Sequence, residues 1–375
     1  MDRVREFVRR EVVLVVAALL ALTSCAAVPP DAAYAGYIDW RTLALLFCLM
    51  TVVAGFRALG VLDACGRWLV SRATSQRRVA LSLVGLSFFA SMAVTNDVAL
   101  ITFVPLALVT LRAAGMDGRL CAVATLMTIA ANLGSMLLPI GNPQNLYLFT
   151  ASGMSFPDFV RLMFPYTALS AALLMLAVLL FFPNEPCARG QKATVAPALW
   201  RAHPARLAAL SALFCLCVLA VAGVIDVKVA LAAVIAVVAL SDASLFKRVD
   251  YALLLTFVAL FVFVGNMARV PAVHDAVAGL VARSALIAAV GSSQVISNVP
   301  AAVLLSGFTD QWGALIVGTN LGGLGTLIAS MASLITFKAV SIGRVGGRAR
   351  YLKTFTLANV AFLAVLLGVA LLLGV

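Results

Sequence analysis

The chain has 375 residues, 63% of them apolar, against 27 basic and 15 acidic ones. Average soluble domains are near half apolar and a quarter charged, so a charged share of 11% excludes both an ordinary soluble protein and a disordered one. With about 20 apolar residues needed per helical crossing, the composition predicts a polytopic membrane protein. The net charge of +12 sits in loops between apolar runs, which points to lipid headgroups and not to nucleic acid.

Apolar stretches are predicted at 11–28, 41–57, 80–111, 120–150, 159–183, 206–224, 228–241, 251–268, 284–308, 313–337 and 353–375. The first resembles a signal peptide ending in Leu22-Thr23-Ser24-Cys25. An uncleaved span is the favoured reading, because the second half of the chain has a counterpart for it. Two stretches are interrupted midway: Thr95-Asn96-Asp97 breaks 80–111, and Ser297-Asn298-Val299-Pro300 breaks 284–308. Treating each as a hairpin that enters and leaves on one side gives nine crossings and two re-entrant hairpins. Positive charge then separates cleanly. With a cytoplasmic amino terminus, 22 of the 27 basic residues are cytoplasmic, and only Arg41, Arg161, Lys228, Arg269 and Arg283 lie outside. Cytoplasmic loops total +14 and outer loops −1, which leaves Asp97 as the one charged residue at depth. The expectation is a multi-pass plasma (inner) membrane protein with its carboxyl terminus outside. The cysteines, including the close pair Cys215 and Cys217, have no nearby histidine or carboxylate and are read as small packing residues.

The two halves match where they are polar. Asn132-Leu133-Gly134 and Asn320-Leu321-Gly322 lie 188 positions apart, and the same offset pairs Asn142 with Ser330 and Asn145 with Ser333. Ile38-Asp39-Trp40 likewise resembles Val249-Asp250-Tyr251. Five crossings separate the copies, and an odd number inverts the second. The fold expectation is an all-α protein of two inverted repeats. Residues 1–183 hold hairpin 80–111 and broken helix 120–150; residues 206–375 hold hairpin 284–308 and broken helix 313–337. A proline-rich cytoplasmic linker, 184–205, joins them. Inverted repeats with interrupted helices are the architecture of secondary transporters, whose sites lie at the repeat interface near the midplane.

A continuous helix over 120–150 would be about 46 Å long, too long for the bilayer core. Gly141-Asn142-Pro143-Gln144-Asn145 is the predicted break, with proline removing an amide and three side-chain amides offering ligands. Gly318-Thr319-Asn320-Leu321-Gly322-Gly323-Leu324-Gly325-Thr326 is its partner, although Gly323 and Gly325 read equally as close helix packing. Unwound backbone at membrane depth is tolerated only where it is buried in protein or lines a cavity. Freed carbonyls and Thr, Ser or Asn oxygens suit a small cation, and N–H groups at half-helix starts suit an anion. Asp97 is read as the coupling group, against the alternative of a simple helix cap. Each hairpin tip is expected to meet the break of its own repeat, Asn96 with Asn142 and Asn298 with Ser330.

Asn132-Leu133-Gly134-Ser135 followed by Pro139-Ile140-Gly141-Asn142-Pro143-Gln144-Asn145-Leu146 resembles the signature of the ion transporter superfamily. That group includes citrate-transporter-like permeases, divalent anion–sodium symporters, arsenite permeases and some sodium–proton antiporters. The resemblance implies two cation or proton sites, one per repeat, with an anionic substrate between them. The first is built from Thr95, Asn96, Asp97, Asn132, Gly141, Asn142, Pro143, Gln144 and Asn145. The second is built from Ser297, Asn298, Pro300, Thr319, Asn320, Gly322, Thr326, Ser330 and Ser333. It implies sodium near Asn96 and Asn142 and near Asn298 and Asn320, or a proton in its place, with no other cofactor. The implied partners are a small anionic substrate, the lipid bilayer and a second copy in a homodimer. Sodium–dicarboxylate symporters carry Ser-Asn-Thr at both tips; Asp97 here is closer to the arsenite-permease and proton-coupled branches.

The expected function is a secondary transporter of a small anion, a citrate-like carboxylate or an inorganic oxyanion, coupled to protons or sodium. A cation–proton antiporter is the alternative, and an anion channel the weaker third reading. An enzyme is not expected, because His203 and His274 fall in loops and no nucleophile–base pair is visible.

Overall fold

The computed structural model describes residues 11–187, 203–342 and 347–374. Arg3, Arg5, Arg9, Arg10, Arg189, Lys192, Arg201, Arg344 and most of the expected 184–205 linker lie outside the described residues. The helices are α1 Val12–Ala27, α2 Trp40–Ala58, α3 Val61–Ser71, α4 Gln76–Val94, α5 Asn96–Ala113, α6 Leu120–Gly134, α7 Pro143–Ser152, α8 Phe156–Phe181 and α9 Pro204–Val221. They continue as α10 Val227–Asp242, α11 Tyr251–Ala268, α12 Pro271–Arg283, α13 Ala285–Ile296, α14 Asn298–Ser306, α15 Trp312–Leu321, α16 Met331–Ile342 and α17 Arg348–Leu372. No strand forms among the described residues apart from one isolated bridge, Ser75–Pro186. Among the described residues, eight helices are long and apolar enough to cross a membrane: α2, α4, α5, α8, α9, α10 with its 3-10 extension, α11 and α17. The protein is an all-α polytopic membrane protein.

Helix starts follow local chemistry. Asp39 accepts from the Thr42 N–H and Asp250 from the Leu253 N–H, each 3.0 Å. The two caps have nearly the same backbone, φ −79°, ψ 86° and φ −79°, ψ 83°. The likeness of Ile38-Asp39-Trp40 to Val249-Asp250-Tyr251 is therefore a shared cap, a feature generally worth about 1 kcal/mol. Hydropathy placed the first hairpin at 80–111, but its helices run from 76 to 113. Ser75 accepts from the Arg78 N–H, so the helix begins in polar sequence before the apolar run does. Hydropathy also left 58–79 and 269–283 as loops. They hold α3 and α12, amphipathic helices too short and too polar to register as spans; α12 turns 115° against α13.

The first hairpin is tied down at both open ends by the end of α8. Gln76 and Arg77 donate backbone N–H bonds to Glu185 O and Pro183 O, and Arg119, beyond α5, donates to Phe181 O. Its tip, by contrast, reaches the middle of the broken span α6–α7. Asn96 contacts Asn132, 12 residues into α6, which is about 18 Å at 1.5 Å per residue. In the second hairpin Ser306, at the end of α14, bonds Tyr147 of α7 (2.7 Å). Arg269 pairs with Asp31 (2.8 Å) and holds the Asp31 carboxyl below its ordinary range. Asn266 of α11 donates to Ser24 and to Tyr34, stitching α1 to α11 through a helix that runs unbroken across Cys25.

Close packing fixes hairpins to broken spans. A Cβ on Gly134 would lie 2.1 Å from Phe88 O and 2.7 Å from Ser91 Oγ; one on Gly322 would lie 2.6 Å from Ser293 Oγ. Gly134 and Gly322 are 188 positions apart, and Ser91 and Ser293 each stand four residues before a tip hydroxyl. The same glycine-on-serine contact thus occurs in both halves. Gly318 likewise packs closely, and a Cβ on it would lie 2.7 Å from that of Ala289 and 2.8 Å from Leu286 O.

Candidate functional site

Both tips turn through the same strained backbone. Thr95 has φ 72°, ψ 151° and Ser297 has φ 74°, ψ 155°. They are the only non-glycine residues at positive φ among the described residues. That region is nearly exclusive to glycine, and each such residue costs of order 1–3 kcal/mol. Ser297 recovers part of this, because its hydroxyl donates to Ala329 O (3.3 Å). The Thr95 hydroxyl has no hydrogen-bond partner among the described residues and faces a cavity. Thr95→Gly is therefore expected to raise stability by about 1 kcal/mol or more. Ser297→Gly should gain less, by the roughly 1 kcal/mol of its hydrogen bond. Thermal unfolding in detergent checks the order; a Thr95→Gly protein less stable than wild type would show the hydroxyl to be structural.

Behind the tips, the asparagines of the two halves are exchanged. Asn132 Oδ1 accepts from Asn96 Nδ2 (3.0 Å) and from Ser330 Oγ (3.0 Å), and Asn132 Nδ2 donates to Gly323 O (3.3 Å). On the other side Asn142 Nδ2 donates to Asn320 Oδ1 (3.1 Å) and to Ser135 Oγ (3.2 Å), while Asn320 Nδ2 donates to Asn145 Oδ1. The Asn132–Ser330 and Asn320–Asn142 bonds map onto each other under the 188-residue offset. Each half's helix-end asparagine thus holds the break of the other half. All of these side chains are buried, where an unmade hydrogen bond would cost about 1–3 kcal/mol.

The expected pairing of tips with breaks is met differently in the two halves. Asn298 N donates to Ala329 O (3.0 Å), beside Ser330, as expected. The Asn96 amide is engaged by Asn132 and the Asn142 amide by Ser135 and Asn320, so the first tip makes no hydrogen bond to its own break among the described residues. The break itself has the predicted form. Pro143 opens α7, Asn142 caps it by accepting from the Asn145 N–H, and Gly141 lies where a Cβ would be 2.0 Å from Ser135 O.

Two cavities meet at the tips. The larger, about 560 Å³, is lined by Thr95, Asp97, Asn142 and Pro143 and also by Arg57, Lys247 and Arg248. The smaller, about 280 Å³, takes in Asn96 and Asp97, Ser297 to Pro300, Pro143, Gln144 and Ser330, with Lys338 at its edge. Asp97 borders both, and its carboxylate has no hydrogen-bond or ion-pair partner among the described residues. Glu11 and Asp250 also border both, so Asp97 is not the sole acid on these walls. Not every predicted residue reaches the cavities. Asn132, Asn145 and Asn320 lie behind them as support. Thr319 bonds its own helix at Leu315 O, and Thr326 is exposed. Gly322 packs on Ser293, and Ser333 Oγ is buried without a partner.

Sequence reasoning missed Gln294. Its Nε2 donates to Gly322 O and Leu324 O, both 2.9 Å, and its Oε1 accepts from the Thr326 N–H (2.9 Å). The available signal was a glutamine three residues before a tip, inside an apolar helix.

The sequence profile of the citrate transporter family matches residues 3–310. The chain belongs to that family. It is 33% identical to the inner membrane protein YbiR of Escherichia coli over 319 residues, covering 83% of this chain and 82% of that one. An uncharacterized transporter of Methanocaldococcus jannaschii is 31% identical over 322 residues, 83% of this chain and 86% of its own. A silicon efflux transporter of Oryza sativa is 31% identical over 157 residues, 41% of this chain and 31% of its own. The family and the latter two relatives are named as transporters, not enzymes, and the protein is a multi-pass membrane transporter.

Proposed function

We propose that the protein is a secondary active transporter of a small anion, a citrate-like carboxylate or an inorganic oxyanion. It works by alternating access and couples to protons or sodium through Asp97. The carrying observation is that one cavity takes in residues from both tips and both breaks, with the unpartnered Asp97 carboxylate on its wall. Half-helix starts at Asn96, Pro143 and Asn298 border this region, and the positive ends of their dipoles suit an anion. A citrate family and a silicon-exporting relative both fit a small oxygen-rich solute. The supporting architecture is two inverted repeats, 1–183 and 206–375. The test is uptake of citrate, sulfate and arsenite into proteoliposomes under an imposed pH or sodium gradient. Saturable accumulation of one of them supports the reading; gradient-independent, non-saturating flux would indicate a channel.

The alternative is a cation–proton antiporter, favoured by one observation: the smaller cavity has Glu11, Asp97 and Asp250 on its walls against Lys338 alone. Proton release on adding sodium, without any anion, would select it. The proposed orientation puts the amino terminus and residues 184–205 in the cytoplasm and the carboxyl terminus outside the plasma membrane, so both cavities face inward. It rests on the split of basic residues. Reporter fusions at 187 and 374 are expected to report opposite sides; the same side for both would refute it.

A further inference from the structure

We propose that this transporter has a single coupling-cation site, at the first hairpin tip, and that its second tip is closed to a cation by Gln294. The inference rests on the coupled-transport reading above and adds its stoichiometry. Two halves built alike would offer two cation sites, but the oxygens that would form the second are already engaged. Gln294 Nε2 donates to Gly322 O and Leu324 O (2.9 Å each) and to Val290 O (3.2 Å). This amide is carried by the hairpin itself, so it ties hairpin to break through the Gly322 and Leu324 carbonyls that a cation would otherwise use. The tip is then docked directly on its break. Ser297 Oγ and Asn298 N both donate to Ala329 O, while Thr326 N and Oγ1 donate to Gln294 Oε1 and O. Gly323 O accepts from Asn132, and the third tip position is Val299, which has no side-chain oxygen. A cation there would have to displace several protein hydrogen bonds, and each buried group left unmade costs about 1–3 kcal/mol.

The first tip differs at each of these points. Met92 stands where the second hairpin has Gln294, three residues before the tip. The third tip position is Asp97, a charged oxygen ligand in place of Val299. No hydrogen bond joins Thr95, Asn96 or Asp97 to residues 135–142 among the described residues, whereas the second tip, which also borders a cavity, is already bonded to Ala329 O. The first break has its own internal amide, Asn145 Nδ2, on the carbonyls of Ser135, Met136 and Leu138. That amide steadies the break and leaves the tip free. A cation at the first tip gains a carboxylate and breaks no hydrogen bond between the tip and residues 135–142.

The test counts cations on the purified full-length protein, with no transported solute needed. Tracer-sodium binding is measured against choline chloride at fixed pH, and proton uptake is followed by an indicator dye in sodium-free buffer. The expected result is one cation per chain, sodium and proton competing for it, with a Hill coefficient of one. Asp97→Asn is expected to lose it. Gln294→Met, which copies the first hairpin, is expected to keep it while exposing amides 322–330 to faster hydrogen exchange. Two cations per chain, a cation retained in Asp97→Asn, or one lost in Gln294→Met would each overturn the single first-tip site. These results would leave coupled transport standing; a wild-type protein that binds neither sodium nor a titratable proton would overturn both.

Discussion

Gly134→Ala is expected to prevent the native fold from forming. Its Cβ would sit 2.1 Å from the Phe88 carbonyl oxygen and 2.7 Å from Ser91 Oγ. An ordinary carbon–oxygen contact is about 3.3 Å, so α4 and α6 must separate by about 1 Å. A flexible side chain could yield, but Phe88 O is backbone in mid-helix. Overpacking a tight core commonly costs 1–3 kcal/mol, and a rigid backbone neighbour puts this case at about 3 kcal/mol or more. That is a large part of the roughly 5–15 kcal/mol by which proteins are stable. Separating the two helices would also pull Asn96 from Asn132 and expose the exchanged amides behind the site. Gly322→Ala should be milder, because its nearest neighbour, 2.6 Å away, is the Ser293 hydroxyl. Gly85→Ala, with nothing within 4 Å of the new Cβ, should instead gain about 0.5–1 kcal/mol from helix propensity. Monodispersity and thermal unfolding of the three detergent-solubilised variants check the order. A well-folded Gly134→Ala protein would mean that the hairpin packs elsewhere.

These contacts show what the sequence could reveal. The pairing of Asn132 with Asn320 was legible because polar residues are rare in a chain this apolar, so a repeated Asn-Leu-Gly stands out. The tips and breaks were legible for the same reason: Thr95-Asn96-Asp97 and Gly141-Asn142-Pro143 interrupt runs that otherwise fit a bilayer. Partner choice was not legible. Offset arithmetic pairs each tip with its own break, but the long amide of Asn132 can reach Ser330 and Gly323 of the other half. Which amide wins depends on angles that spacing does not encode. Asp97 read as the lone acid at depth because Asp250, a helix cap, belongs to a loop in hydropathy. In three dimensions that cap lines both cavities that Asp97 borders. Amphipathic α3 and α12 escaped because a hydropathy window seeks length, and their one-sided faces average out.

Asp97→Asn is expected to abolish uphill accumulation while leaving the fold and downhill exchange in place. Asp97 lies in the first turn of α5, where the N-terminal end of the helix dipole favours negative charge, and its carboxylate faces both cavities without a partner. Asparagine keeps the shape but removes the exchangeable proton and the anionic ligand for sodium. Because no salt bridge is broken, the change should alter stability by no more than about 0.5 kcal/mol, as for an ordinary polar substitution. The transport effect is far larger. One unit of pH gradient is worth about 1.4 kcal/mol per proton, enough for tenfold accumulation at one proton per substrate. Wild-type proteoliposomes under such a gradient should approach that ratio, and Asp97→Asn should stop at equal concentrations inside and out. Counterflow of labelled against unlabelled substrate, which needs no net coupling, should persist in the mutant. If Asp97→Asn concentrates substrate as well as wild type, with the same pH and sodium response, Asp97 only favours the start of α5, and the coupling group must be sought at Asp250 or Glu11.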